Sequence, residues 1–143
     1  MLRLLVNHPN VEINFVYSST RAGKAISETH PDLAGILDLP FSAELNPEID
    51  VLFLCMGHGN SATFLHEHTV NDNTKIIDLS NDFRLAADRN FMGRSFVYGL
   101  TEVNKSQIKS ALAIANPGCF ATAIQLALVP LASAGKLQNE VHV

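Results

Sequence analysis

Apolar runs recur along the chain with helix-spaced segments between them, the pattern of parallel strands joined by crossover helices. Residues 11–17 (VEINFVY) are rich in Val, Ile, Phe and Tyr and predict a strand that ends in the polar cluster Ser18, Ser19, Thr20 and Arg21. Residues 50–56 (DVLFLCM) form a near-continuous apolar run closed by Gly57, His58 and Gly59. Such a run predicts a strand buried on both faces. Residues 75–79 (KIIDL) and 112–115 (LAIA) predict a third and a fourth strand. Between the runs, residues 61–68 and 102–110 have helical spacing, with Ser61 and Thr101 at N-cap positions. An apolar helix follows over residues 123–134. The class these elements imply is α/β, built on a doubly wound parallel sheet.

The two ends complete the pattern only in part. Residues 1–7 read as the last turns of a helix stopped by Pro9, and residues 140–143 (EVHV) open a strand-like alternation. A doubly wound fold is expected to place one more strand, and the glycine-rich turn that cradles a dinucleotide pyrophosphate, before residue 1. The expectation is a segment of a longer chain, cut on both sides.

Composition narrows the function classes. The chain has 143 residues, of which 47% are hydrophobic, with 8 Gly and 6 Pro. That is the make-up of a soluble globular domain, and such a length buries roughly 68–70% of its unfolded surface without needing disulfides or a structural metal. The net charge is −4 and the 10 Lys and Arg residues are scattered. A nucleic-acid binder needs a basic stripe, so nucleic acid is not an expected partner. The longest apolar stretch, residues 120–134, is interrupted by Thr122, Gln125 and Pro130 and falls short of the ~20 residues of a membrane span. The apolar run at the start is too short for a signal peptide. Two cysteines without C-x-x-C spacing, and His66 and His68 on different helix faces, predict no metal site and a reducing cytoplasm.

Candidate chemistry centres on residues 114–122 (IANPGCFAT). Pro117 and Gly118 make a tight turn off a strand, and Cys119 then falls at the first turn of the following helix. The positive end of a helix dipole favours a thiolate, which is a nucleophile for a carbonyl or acyl phosphate. Position alone leaves a second reading open, a small residue packed under a turn. Cys55, inside an apolar run, reads as a buried and inert thiol. After the first strand, where an acid would bind the ribose of NAD, the chain has Ser18, Ser19 and Arg21, which prefer NADP; a solvated polar loop is the alternative. Gly57, His58 and Gly59 lie where backbone can approach a cofactor, with Asn60 or Ser61 capping the next helix, or they serve the turn alone. Asp78, Ser80, Asp82 and Arg84 cluster after the third strand; Asp78 reads as a turn cap and Asp82 with Arg84 as a surface pair. Asn116 either orients the cysteine turn or starts it.

Several blocks together carry a family resemblance: residues 116–122 (NPGCFAT), 78–84 (DLSNDFR), 96–100 (FVYGL) and 7–13 (NHPNVEI). In order and spacing the chain resembles the N-acetyl-gamma-glutamyl-phosphate reductase family, enzymes of arginine biosynthesis. The resemblance implies a Rossmann-like sheet missing its first strand, followed by the start of a second, α+β domain. Residues 1–115 would be a partial NADP-binding domain, and residues 116–143 the cysteine turn, the nucleophile helix and the start of the catalytic, dimerising domain. It also implies an oxidoreductase that uses NADPH to reduce N-acetyl-gamma-glutamyl phosphate to the semialdehyde, releasing phosphate, with Cys119 forming a thioester. Gly57, His58 and Gly59 would then lie along the cofactor, and Ser80 would touch cofactor or substrate. A homo-oligomer is implied for the full-length protein. The family's catalytic histidine motif would lie beyond Val143, so the 143-residue chain alone is expected to turn over nothing. Thr101 departs from the family, which commonly has Pro there. Three other readings compete: a segment of an aspartate-type semialdehyde dehydrogenase, an inactive truncated nucleotide-binding module, and a redox-sensing thiol at Cys119.

Overall fold

In the computed structural model, which describes residues 1–137 and 140–142, the chain divides into residues 1–49 and residues 50 onward. The first part begins with one helical turn, α1 (Leu2–Leu5). Of the run at residues 11–17, only Val16–Tyr17 (β1) is a strand; it pairs in parallel with Phe41–Ser42 (β2), Val16 opposite Phe41. Strand composition is thus present over seven residues, but a ladder partner exists for two, and pairing context outweighs propensity. Two 3₁₀ turns, Ile26–Glu28 and Pro31–Leu33, lie between these strands. Ile26, Leu33 and Phe41 are buried, and Leu2, Val6, Val16, Leu37 and Leu39 pack against them.

From residue 50 the elements follow the expected alternation. They are β3 (Val51–Leu54), α2 (Ser61–Glu67), β4 (Lys75–Asp78), β5 (Asn90–Phe91), β6 (Arg94–Ser95), β7 (Val97–Tyr98), α3 (Thr101–Ser110), β8 (Ala113–Ala115) and α4 (Cys119–Ser133). Four strands form one parallel sheet in the order β3-β4-β8-β7, and β5 and β6 make a separate antiparallel hairpin. The register sets Leu54 opposite Asp78 and Asp78 opposite Ala115. Three consecutive strands therefore end level, and their loops leave from one edge. The α/β class and the parallel sheet are as the hydrophobic pattern required.

Four expectations change. β3 alternates rather than being covered on both sides: Leu52 and Leu54 are buried while Val51 is 38% exposed. Ser61 and Thr101 are the first residues inside their helices, not caps; the capping positions belong to Asn60 and Leu100, neither with a side-chain cap bond. The helix read from residue 123 begins at Cys119. Residues 140–142 lie in no strand, and Val143 is outside the described residues. Packing below the sheet edge uses Phe64 and Leu65 of α2, Ile76 of β4, and Phe83 stacked on Phe96 with ring centroids 4.0 Å apart. No residue of α4 is buried, although Phe120, Leu126 and Leu131 are apolar and exposed.

Candidate active site

The loops after β3, β4 and β8 meet over a buried carboxylate. Asp78, the last residue of β4, is fully buried among Ser61 and Ser80, which are also buried. Its Oδ1 accepts the Ser61 hydroxyl at 2.6 Å and the Ser80 N–H at 3.1 Å, and its Oδ2 accepts the Ser80 hydroxyl at 2.7 Å. The main chain links the same loops: the Leu79 N–H donates to Leu54 O at 3.0 Å and the Asn116 N–H to Asp78 O at 2.8 Å. Asp78 is therefore more than a turn cap, since it joins α2 to the loop after its own strand. Burying a carboxylate is costly unless its lone pairs are filled, and here three donors fill them.

Asp82 and Arg84 do not pair with each other, contrary to the expectation of a surface ion pair. The Asp82 carboxylate accepts the N–H of Gly59 at 2.6 Å, of Ser61 at 2.9 Å and of Ala62 at 3.2 Å. It thus serves as the cap that Asn60 and Ser61 were expected to supply. Burial alone would push its carboxyl up, but the N–H groups of Gly59 and Ala62, with Ser80 and Ser61, hold it below the usual carboxylate range. Arg84 instead donates from Nε to Asn116 O at 2.8 Å and from Nη2 to Leu79 O at 3.2 Å.

The cysteine turn is fixed from three directions. Asn116 gives its backbone carbonyl to Arg84 and its side-chain amide to Pro117 O at 3.1 Å. Gly118 is the N-cap of α4, and a Cβ there would stand 3.0 Å from Arg84 Nη1. Tyr98 on β7 accepts the Gln125 side-chain amide of α4 at its hydroxyl, 3.1 Å away. Cys119 is exposed at the first position of α4, a helix with no side-chain cap. The reading of Cys119 as packed under the turn is thereby removed. Cys55 is also exposed, just past β3, rather than buried; partial burial of its sulfur, then the nearby Asp78, push its thiol up.

Of the remaining expected site residues, Gly57, His58 and Gly59 form the exposed loop above Asp82, with φ of +84° at Gly57 and +79° at Gly59. Asn60 donates to Met56 O at 3.1 Å, within that loop. Ser80, expected to touch cofactor or substrate, is instead 1% exposed, its hydroxyl donating to Asp78 and accepting from the Asp82 N–H at 3.0 Å, so it holds the loop rather than facing a ligand. Ser18, Ser19 and Arg21 follow β1 in the first part of the chain: the Ser18 N–H donates to Ser42 O at 2.9 Å, Ser19 is exposed, and Arg21 donates from Nη1 to Thr29 Oγ1 at 2.8 Å. Sequence reasoning missed the capping role of Asp82, the grip of Arg84 on Asn116 and the Tyr98–Gln125 bond.

A parallel sheet whose loops gather at the carboxyl ends of its strands, with two bare glycines in one loop, is the architecture on which α/β domains bind nucleotides. The glycines fit that role, since no atom lies within 4 Å of where a Cβ would stand at Gly57 or Gly59. The chain belongs to the semialdehyde dehydrogenase family: the family model described as semialdehyde dehydrogenase, NAD binding domain, matches residues 1–111. The cofactor class is accordingly a nicotinamide dinucleotide. Among similar proteins, that of Flavobacterium johnsoniae is 57% identical over 143 residues, that of Christiangramia forsetii 50% over 143, and that of Azobacteroides pseudotrichonymphae 52% over 145. Each is named N-acetyl-gamma-glutamyl-phosphate reductase; the alignments cover all of this chain and 44%, 43% and 44% of the respective relatives. The chain thus spans less than half the length of these curated relatives.

Proposed function

We propose that this chain supplies the cofactor-binding part and the nucleophile of an N-acetyl-gamma-glutamyl-phosphate reductase, which uses NADPH to convert the acyl phosphate to the semialdehyde. The observation that carries this reading is Cys119, exposed on the first turn of a helix whose amino end bears no side-chain cap. The names of the similar proteins point to the same chemistry.

In this reading the Cys119 sulfur attacks the acyl carbon, the bond from that carbon to the phosphate oxygen breaks, and inorganic phosphate leaves. The nicotinamide, when bound, supplies a hydride. Cys119 then departs from the reduced carbon with the electron pair of the C–S bond, releasing the aldehyde. Asn116 orients the turn, and Arg84 keeps Asn116 in place. Gly57, His58 and Gly59 receive the dinucleotide, and Ser80 acts from below by fixing the chain that holds them. Ser18, Ser19 and Arg21 receive the additional phosphate of NADP, a choice supported by the absence of an acid among them. Arg21 then exchanges Thr29 for that phosphate.

Residues 1–115 form the NADP-binding part and residues 116–143 the start of the catalytic part. The family match ending at residue 111 and the uncovered apolar surface of α4 support that division. We place the full-length enzyme in the cytoplasm as a homo-oligomer. The test is NADPH oxidation by the complete gene product with N-acetyl-gamma-glutamyl phosphate. Cys119→Ser is expected to abolish it and Cys55→Ser to leave it intact; equal loss from both would remove Cys119 as the nucleophile.

A further inference from the structure

Three successive side chains after β4 reach in three directions. Asp82 takes the N–H groups of Gly59, Ser61 and Ala62; Phe83, 2% exposed, is stacked on Phe96; Arg84 takes the carbonyls of Asn116 and Leu79. Phe83 anchors the segment, so neither neighbour drifts easily. The loop above Asp82 has little else to define it. Gly57 and Gly59 carry no side chains, and nothing packs within 4 Å of their Cβ positions. What fixes the loop is the Asp82 carboxylate from below and the Asn60 amide, which donates to Met56 O and to His58 O.

We infer that Asp82 is a positioning residue: by accepting the N–H groups of Gly59, Ser61 and Ala62, its carboxylate ties the end of the loop to the start of α2 and holds residues 57–59 in the shape that receives the dinucleotide. The inference rests on the proposed role of that loop. Asp82 does not touch the dinucleotide and acts through the loop.

The experiment uses the complete gene product and two readouts. Asp82→Asn keeps the shape but offers one acceptor oxygen and an NH₂ donor to three N–H groups. Hydrogen exchange of a peptide covering residues 57–63 should accelerate on the order of tenfold, since bonds to a charged acceptor are among the stronger ones. The KM for NADPH should rise on the order of tenfold while kcat moves less than about twofold, the signature of lost binding rather than lost chemistry. Asp82→Gly leaves room for a free acetate ion, and added acetate should restore both the exchange protection and KM. If Asp82→Asn does not fold, Asp82→Glu, which keeps the charge on a longer stem, should give an intermediate loss in both readouts. Unchanged exchange over residues 57–63 overturns the inference whatever the activity. Faster exchange with KM unmoved reduces Asp82 to a helix cap and overturns it as well. A wild-type gene product that oxidises no NADPH defeats the proposed function separately, and the exchange comparison then decides whether Asp82 holds the loop.

Discussion

Gly99 should be irreplaceable for a reason of space alone. It follows β7, and its N–H donates to Ala115 O at 2.9 Å, so β7 is drawn hard against the end of β8. A Cβ added there would stand 2.9 Å from Ile114 Cγ2, 3.2 Å from Ala115 O and 3.4 Å from Pro117 Cδ. None of the three yields easily. Ile114 is β-branched and has few rotamers within a strand, the Ala115 carbonyl is held by the very bond that brings Gly99 close, and Pro117 opens the cysteine turn. Overpacking of this kind costs roughly 1–3 kcal/mol. Against it stands a gain of about 0.4–1 kcal/mol, because alanine has less freedom to lose from the unfolded chain. With three contacts of 3.4 Å or less and none that yields, the overpacking cost falls in the upper part of its range, roughly 2–3 kcal/mol, so the net loss for Gly99→Ala is roughly 1–2.6 kcal/mol, or a Tm lower by about 4–21 °C for a cooperative unit of this size. Gly35→Ala is the useful control: its neighbourhood is open but its φ is +73°, so its cost, about 1–2 kcal/mol, is conformational. Thermal denaturation of both variants checks the reasoning, and crystals of Gly99→Ala should show Pro117 displaced. A Gly99→Ala protein as stable as the wild type, with residues 114–117 unmoved, would refute the argument.

Two further outcomes follow from the same contacts. Both cysteines are exposed, but burial and Asp78 push the Cys55 thiol up, so at neutral pH iodoacetamide should modify Cys119 well before Cys55; peptide mapping that finds equal labelling contradicts this. The Asp82 carboxyl has a lowered pKa in the folded state, so its contribution to stability is complete above the ordinary aspartate value of about 3.9 and is lost as pH falls through the lowered one. Protection of residues 57–63, corrected for intrinsic exchange, should be flat from neutral pH down to about 5 and decline only in stronger acid; an NMR titration of Asp82 with a midpoint at or above the ordinary value counts against its three N–H partners.

Legibility in the sequence tracked how local each cause is. The strands at residues 51–54, 75–78 and 113–115 declared themselves by apolar runs, and the position of Cys119 at a helix start by the Pro117–Gly118 turn before it. Residues 90–95 did not, because only one of the two positive-φ positions of their hairpin turn carries a turn residue: Gly93 (+78°) is preceded by Met92 (+46°), where Asn, Asp or Gly would have marked it. The cap of α2 was unreadable for a related reason. Asn60 and Ser61 are the local candidates, yet the acceptor comes from Asp82, more than 20 residues away in sequence from Gly59 and Ser61. Arg84 and Asn116, 32 residues apart, left no pattern either. Adjacent opposite charges looked like a surface pair because nothing in a linear sequence tells which backbone groups a fold will leave in need of partners.

Three helices, α2, α3 and α4, start at the same edge of this sheet, and the amino ends of α2 and α4 are treated differently. At α2 the N–H groups of Ser61 and Ala62 are filled by Asp82, and the site is closed to any second anion. At α4 the capping position is Gly118, which has no side chain to fold back; a Cβ there would stand 3.0 Å from Arg84 Nη1, so the end of that side chain would have to shift by a small amount to admit one. Asp82 and Arg84, two residues apart, thus act on different elements: the acid fills the amino end of α2, and the base ties the turn before α4 to the loop after β4. The first turn of α4 has no side-chain cap, as is also true of α3, and what sets α4 apart is Cys119 at its first position, the residue proposed above as the nucleophile.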